Sequence, residues 1–479
     1  MNDQPPPLPP AWPPTAPETP AVPHGGSPFA GWIAALVIAL SVALAMGRVA
    51  MDKAAMAGEQ AADGANGATR LQEELGARYL VGMNSLLGPM MAASGESKEA
   101  WLAPFEAAAK TPRQRMELDI LRRELAGDAG PGDWTTTVEP ATEAERRDWE
   151  ALRALQRPAG PGGAGGSLSE EERSRFEQRF GWFARLALSR GLPEDDPARA
   201  AVLGAARRTF VGSILLAVGA GAALVLGCGL AVWAVARFAS GRGVWWFAVR
   251  DRAVVAATGG SIWLETFAVY LGIMVLGGLL ADFLPPGWAP WPQAAAFAGA
   301  AGLGACWPWL RGMPRAARSA GFGWTRGRGV LREIAAGLLG YCAGLPIVAA
   351  GVGLTMVLTF FTKADASHPL NHLTGVSPPA LVFLGFLAAV WAPVVEETFF
   401  RGAFYAAWRQ ACGRWLSGLA TGILFAAVHP QGWTAIPALG AVGLVMALLR
   451  EWRGSLIAPV TAHALNNGTL FAMMIVVMR

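Results

Sequence analysis

Apolar and polar positions along this chain fall into blocks rather than a fine alternation. An apolar run occupies 28–47, a polar and strongly charged stretch follows over 48–207, and from 208 onward apolar runs recur with short charged breaks. A run of about 18 apolar residues or more reads as a membrane helix, because about 20 residues at 1.5 Å rise cross the hydrocarbon layer. That criterion places one span at 28–47 and eight more near 209–236, 258–281, 293–310, 333–361, 379–396, 413–429, 434–449 and 456–478. The expected fold class is all-α, a polytopic transmembrane helical bundle of about nine spans with an inserted helical soluble region between spans 1 and 2. Five segments follow: a Pro-rich disordered tail over 1–28, a transmembrane anchor over 29–47, a helical extramembrane region over 48–207, transmembrane helices with Arg-rich loops over 208–332, and a C-terminal membrane core over 333–479.

Within 48–207 the pattern is that of water-soluble helices. Ser169 and Glu172 have capping-box spacing, and Phe176, Phe180 and Phe183 follow at helical intervals, an aromatic stripe that reads as core. Asp196 before Pro197 marks a further helix start, and 157–166 (RPAGPGGAGG) is a flexible break. This region carries no constellation of reactive side chains. The tail (PPPLPPAWPPTAPETPAVP) suits a solvated, partly polyproline II arm. For the first apolar run a cleaved signal peptide is the rival to an anchor. The tail before it is long and holds no Lys or Arg, so a retained anchor is expected.

Composition agrees with the pattern: 15% of residues are charged against about 25% in soluble proteins. A net charge of +4 does not imply nucleic acid as a partner, because the basic residues flank apolar spans, where they set orientation. With residue 1 in the cytoplasm, fifteen arginines fall at inside ends and six basic residues at outside ends. The positive-inside rule therefore expects a cytoplasmic N-terminus and an extracytoplasmic 48–207 region. Only four of the 39 basic residues are lysine, and with abundant Ala, Gly and Pro this resembles a GC-rich bacterial genome, so a bacterial inner (plasma) membrane is the expected location. Cys228, Cys306, Cys342 and Cys412 lie in or beside apolar spans without a CxxC pair, which argues against a disulfide framework or a zinc–thiolate site. Small residues cluster in GAGAALVLGCG (219–229) and GAAGLG (299–304), where helices can approach closely.

Ionisable groups are costly inside a bilayer and face polar interiors. The C-terminal spans hold Glu396, Glu397 and Arg401 in APVVEETFFRGAFY, His429 in FAAVHP, and His463 with Asn467 in TAHALNN. Glu397 and Arg401 stand at i,i+4 with the acid first, the favourable order for an ion pair on one helix face. Glu396 points about a hundred degrees away, free of that arginine. Phe425 can pack beside His429, and His463 and Asn467 share a face. Such a set can do peptide hydrolysis: Glu396 as base, His429 orienting water, and His463 with Asn467 as donors to an oxyanion. Glu396, His429 and His463 are also ordinary ligands for a divalent metal such as zinc. The residues leave the choice between metal-bound and metal-free chemistry open.

EETFFR, FAAVH and HALNN resemble, in order, the EExxxR, FxxxH and HxxxN/D motifs of the CAAX protease and bacteriocin-processing family of intramembrane proteases. The resemblance is clear over 378–479. It implies a helical bundle with an active-site cavity inside the membrane, Glu396 and His429 activating water, His463 and Asn467 as oxyanion or metal site, and Glu397 and Arg401 in support. The implied substrates are membrane-associated proteins or peptides. Two other readings compete: a scaffold recruiting partners through 48–207, and a transporter, which would show inverted repeats with broken helices. His368 and His372 read as an external loop, and the N-G-T sequon at 467–469 is poorly placed for glycosylation.

Overall fold

The computed structural model describes residues 26–63, 67–93, 98–126, 142–156, 168–240, 260–285, 288, 291–362 and 378–478, and every regular element among them is helical. The Pro-rich tail up to residue 25, the break at 157–166, Arg242, Arg250, Arg252, His368 and His372 lie outside the described residues.

The chain opens with α1 (Pro28–Asp63), followed by α2 (Gly67–Ala93), α3 (Lys98–Ala108), α4 (Pro112–Ala126), α5 (Glu143–Gln156), α6 (Glu170–Phe180) and α7 (Trp182–Leu188). Helices α2–α7 and the start of α8 (Pro197–Ala239) enclose their own hydrophobic core, with Leu102, Leu121, Phe176, Phe180, Trp182, Phe183, Leu203 and Ala206 buried. The capping box at Ser169 forms reciprocally with Glu172, and Asp196 accepts from the Ala198 N–H at 2.8 Å to start α8. α8 has 43 residues, about 65 Å at 1.5 Å per residue, twice a hydrocarbon layer of about 30 Å. Its first turns belong to the charged bundle and the remainder is apolar.

The apolar half comprises α9 (Ile262–Ala281), α10 (Trp291–Leu310), a short α11 (Arg315–Phe322), α12 (Val330–Thr362), a rod over 378–411 in three α-helical pieces, α16 (Arg414–Ala427), α17 (Ile436–Arg453) and α18 (Ile457–Met478). The rod's pieces are α13 (Pro378–Phe386), α14 (Ala392–Glu397) and α15 (Tyr405–Ala411). Among the described residues, six helices are long and apolar enough to cross a membrane, over Pro28–Asp52, Pro197–Arg237, Ile262–Ala281, Val330–Thr362, Pro379–Ala411 and Trp433–Arg453. The expected spans at 293–310, 413–429 and 456–478 are helices α10, α16 and α18, which do not meet that criterion. α16 has only 14 residues, about 21 Å. α10 is diluted by Gln293 and by glycines, and α18 by His463, Asn466 and Asn467.

An aromatic core gathers Trp263, Phe267, Tyr270, Phe399, Phe400, Phe404 and Phe425 from α9, the rod and α16. A second pack joins Val445, Met446, Leu449 and Ala462 of α17 and α18. Close approach depends on single glycines rather than whole stripes. Of the four glycines in 219–229 only Gly227 meets a neighbour, the Cys342 carbonyl and Pro346 of α12, and in 299–304 only Gly304 does. Ion pairs tie helix ends: Arg453 to Glu333 at 2.6 Å and Arg409 to Glu451 at 2.9 Å, both buried, and Arg311, itself exposed, to Glu265 at 2.8 Å.

Candidate active site

The rod that carries the two adjacent glutamates is interrupted by π-turns at Leu387–Trp391 and Thr398–Phe404, where Ala392 N–H bonds Leu387 O and Tyr405 N–H bonds Phe400 O, five residues back. Such turns disturb the regular backbone pairing and concentrate at functional sites. The carbonyl of Ala388, inside the first π-turn, accepts from Asn467 Nδ2 at 3.0 Å.

Arg401, inside the second π-turn, donates from Nη1 to Glu397 Oε1 just before it at 2.8 Å, and both side chains are 0% exposed. The guanidinium also donates from Nη2 to the Gly443 carbonyl of α17 at 3.0 Å and lies 4.8 Å from the Phe425 ring centre. Gly443 packs against Gly422 of α16, so the carbonyl stands close enough for this bond. His463 Nδ1 stands 2.8 Å from the same Glu397 oxygen. One carboxylate oxygen therefore anchors both a guanidinium and an imidazole by direct contact. Burying these charges is tolerated because each is paired.

Glu396 differs from its neighbour. Its side chain is 17% exposed, and Oε2 lies 3.7 Å from His463 Nε2. The imidazole thus bridges the two glutamates, with Nδ1 on the sealed one and Nε2 towards the open one. An Nδ1–H given to Glu397 fixes the tautomer and ring orientation, as in other carboxylate–histidine pairs. His429 sits just past the C-terminal end of α16. Its Nδ1 bonds the Phe425 carbonyl at 2.5 Å and its ring centre is 4.2 Å from that of Phe425. Phe425 is in turn 5.7 Å from His463, so its ring packs beside both imidazoles.

Glu396, Glu397, Arg401, Phe425, His429 and His463 therefore converge from the rod, α16 and α18. Asn467 shares α18 with His463 but is turned to the π-turn carbonyl instead of the imidazole's partners. Sequence reasoning missed its support: Tyr341 of α12 donates to Asn466 Oδ1 at 2.7 Å, and Asn466 Nδ2 donates to Asn467 Oδ1 at 3.1 Å. The paired asparagines in HALNN were the available signal. For the metal alternative, no group of three His, Cys, Asp or Glu among the described residues is disposed to hold an ion. Nδ1 of His429 is engaged by the Phe425 carbonyl and Nδ1 of His463 by Glu397, bonds that orient both rings and leave Nε2 of each outside them.

A carboxylate with some access, two imidazoles and a carboxamide around one buried ion pair can deprotonate water and stabilise an anion. By fold and site the chain is an integral membrane protein with a buried carboxylate–guanidinium–imidazole centre among its C-terminal helices. Residues 378–469 match the model of the family described as type II CAAX prenyl endopeptidase Rce1-like. The matched segment contains the EETFFR, FAAVH and HALNN stretches, and the family that the model describes is one of proteases, hydrolases of peptide bonds. No curated protein and no solved structure matches the chain.

Proposed function

We propose that the chain is an intramembrane endopeptidase that cleaves membrane-associated protein or peptide substrates, with Glu396 as the base. The observation that carries this reading is the contrast between neighbours: Glu397 is sealed and paired with Arg401, while Glu396 keeps 17% exposure beside His463. A base must reach water, and a positioning carboxylate must not. In the proposed reaction the water oxygen attacks the carbonyl carbon, and its proton passes to Glu396 and then to the departing amine. His429 orients the water. His463, its Nδ1–H given to Glu397, presents Nε2 as an acceptor beside Glu396, and Asn467 has a second amide hydrogen, beyond the one given to Ala388, for the developing oxyanion.

The family name suggests an S-isoprenyl cysteine peptide as the first probe. Cleavage is measured with purified protein in lipid nanodiscs, with and without chelator. The wild type is expected to cleave, and Glu396→Gln and His429→Ala to lose cleavage while staying folded. Undiminished cleavage by Glu396→Gln would overturn the reading, and loss under chelator would place a divalent ion in it. A recruiting scaffold would be indifferent to either substitution.

The same proposal includes nine membrane-crossing helices, a cytoplasmic N-terminus and an external α2–α7 bundle. Two contacts support it. Gly26 at the start of α1 lies against Ser261 at the start of α9, and Arg48 pairs with Asp282 past the end of α9 at 2.7 Å. α1 and α9 thus run parallel, as required if α8 alone recrosses between them. Accessibility of single cysteines introduced at the exposed residues 178 and 326 to an impermeant reagent tests it: labelling of 326 but not 178 from outside intact cells would reverse the orientation.

A further inference from the structure

Tyr270 of α9 lies outside the segment that matches the protease family, and nothing in the mechanism above uses it. Its side chain is fully buried. The ring stacks flat on Phe399, with centres 4.0 Å apart and planes 2° from parallel, and Phe267 stands 6.2 Å away. On the other side is Gly304 of α10, where a Cβ would come within 2.6 Å of the Phe399 ring and 3.1 Å of Tyr270 Cβ. The phenol is therefore held rigidly between α10 and the rod.

Its hydroxyl has no hydrogen-bond partner among the described residues. Buried Tyr O–H groups normally find one, and an orphan is disfavoured, so phenylalanine would fill this slot better if packing were the whole purpose. Phe399, on which the ring stacks, is one helical turn from Glu396 on the same rod, so a rigid, unpartnered donor is packed beside the turn that carries a partly open carboxylate. Polar groups that share a site without direct contact are bridged by water, and a bound water needs at least two polar partners.

We propose that Tyr270 is a further residue of the catalytic site, its O–H donating to the water that Glu396 deprotonates, so that hydroxyl and carboxylate together fix where that water stands. The inference rests on the reading of Glu396 as base. The water oxygen accepts the Tyr270 hydrogen bond on one lone pair and forms the new bond to the substrate carbonyl carbon with the other. Its proton goes to Glu396 and on to the amine as the C–N bond breaks, and Tyr270 keeps its own proton throughout.

The test is steady-state cleavage of the isoprenyl peptide by Tyr270→Phe beside Glu396→Gln, with thermal midpoints of each. Misplacing a nucleophile slows the chemical step without altering substrate binding. Tyr270→Phe is therefore expected to lower kcat about tenfold or more at unchanged KM, with a midpoint at or above that of the wild type, since no hydrogen bond to another described residue is lost. A kcat within twofold of the wild type, a change confined to KM, or a loss of activity tracking a lowered midpoint would each overturn it. Should Tyr270→Phe behave as the wild type while Glu396→Gln is inactive, this inference alone fails. Cleavage surviving Glu396→Gln, or a wild type that does not cleave, removes the reading beneath it.

Discussion

Replacing Arg401 by Met probes the centre most directly. The side chain is wholly buried and holds Glu397 at 2.8 Å and the Gly443 carbonyl at 3.0 Å. Met keeps most of the length and the apolar contact with Phe425. What it removes is the positive charge and both donors. Leaving one member of a buried ion pair unpaired costs about 3–5 kcal/mol, and a buried carbonyl without a donor about 1–3 kcal/mol. His463 still touches Glu397 and takes up part of the deficit, and the contributions overlap. The expected loss is therefore about 4–6 kcal/mol. Arg401→Lys restores a charge but not the planar fork that serves two acceptors at once, and should fall between.

The assay is unfolding in mixed micelles, extended to the double variant Glu397→Gln/Arg401→Met. With both charges gone, no ion is stranded, and the glutamine can still bond His463. The double variant should be more stable than Arg401→Met alone by about 2 kcal/mol, within the coupling seen for residues in contact. Wild-type stability in Arg401→Met, or a double variant losing the full sum of the singles, would refute the reasoning.

Three further outcomes are expected. Glu396→Gln, at a partly open position without a close ion pair, should change the melting midpoint little while abolishing cleavage, and a large stability loss would mark Glu396 as structural. Gly422→Val should destabilise by about 1–3 kcal/mol, because any Cβ there meets the Gly440 carbonyl of α17; an unchanged melt would contradict the packing of α16 on α17. In the charged bundle, burial pushes the Glu117 carboxyl up from 4.5 to about 7 despite its Arg113 partner, and burial raises Glu73 too. The folded state then binds protons that the unfolded chain releases, so stability is fully present below about pH 4.5 and declines by about 3 kcal/mol as pH rises through 7. Glu117→Gln should flatten that decline in melts taken from pH 5 to 8, and an unaltered slope would count against the burial argument.

What could be read from sequence was whatever depends on spacing along one helix. The i,i+4 relation of Glu397 and Arg401, the packing of Phe425 on His429, the Ser169 cap and the Asp196–Pro197 start all follow from local geometry, and all are present. Partners across helices were not legible. Nothing in the chain announced that the Glu397 oxygen would hold His463 as well as Arg401, or that Asn467 would turn to a π-turn carbonyl. Helical periodicity assumes uniform backbone, and the π-turns at Leu387–Trp391 and Thr398–Phe404 break that assumption beside the residues of interest. Tyr270 was invisible for a related reason: one aromatic in an apolar helix carries no pattern, and its unpaired hydroxyl exists only in three dimensions.

On the proposed reading, two carboxylates side by side divide the work of anchor and base. A single glutamate cannot be both a fixed anchor and an accessible base, because the dry surroundings that let Glu397 hold Arg401 and His463 firmly would deny it water. Adjacent positions on a helix point roughly a hundred degrees apart, so one turn of the rod sends Glu397 into the packed interior and Glu396 towards the opening. The imidazole of His463 reaches both, 2.8 Å from one and 3.7 Å from the other. The anchor therefore sets the position of the histidine, and the histidine sets the geometry at the base. Moving the pair apart by one residue would put both carboxylates on unrelated faces and break that coupling, although every side chain needed for hydrolysis would still be present.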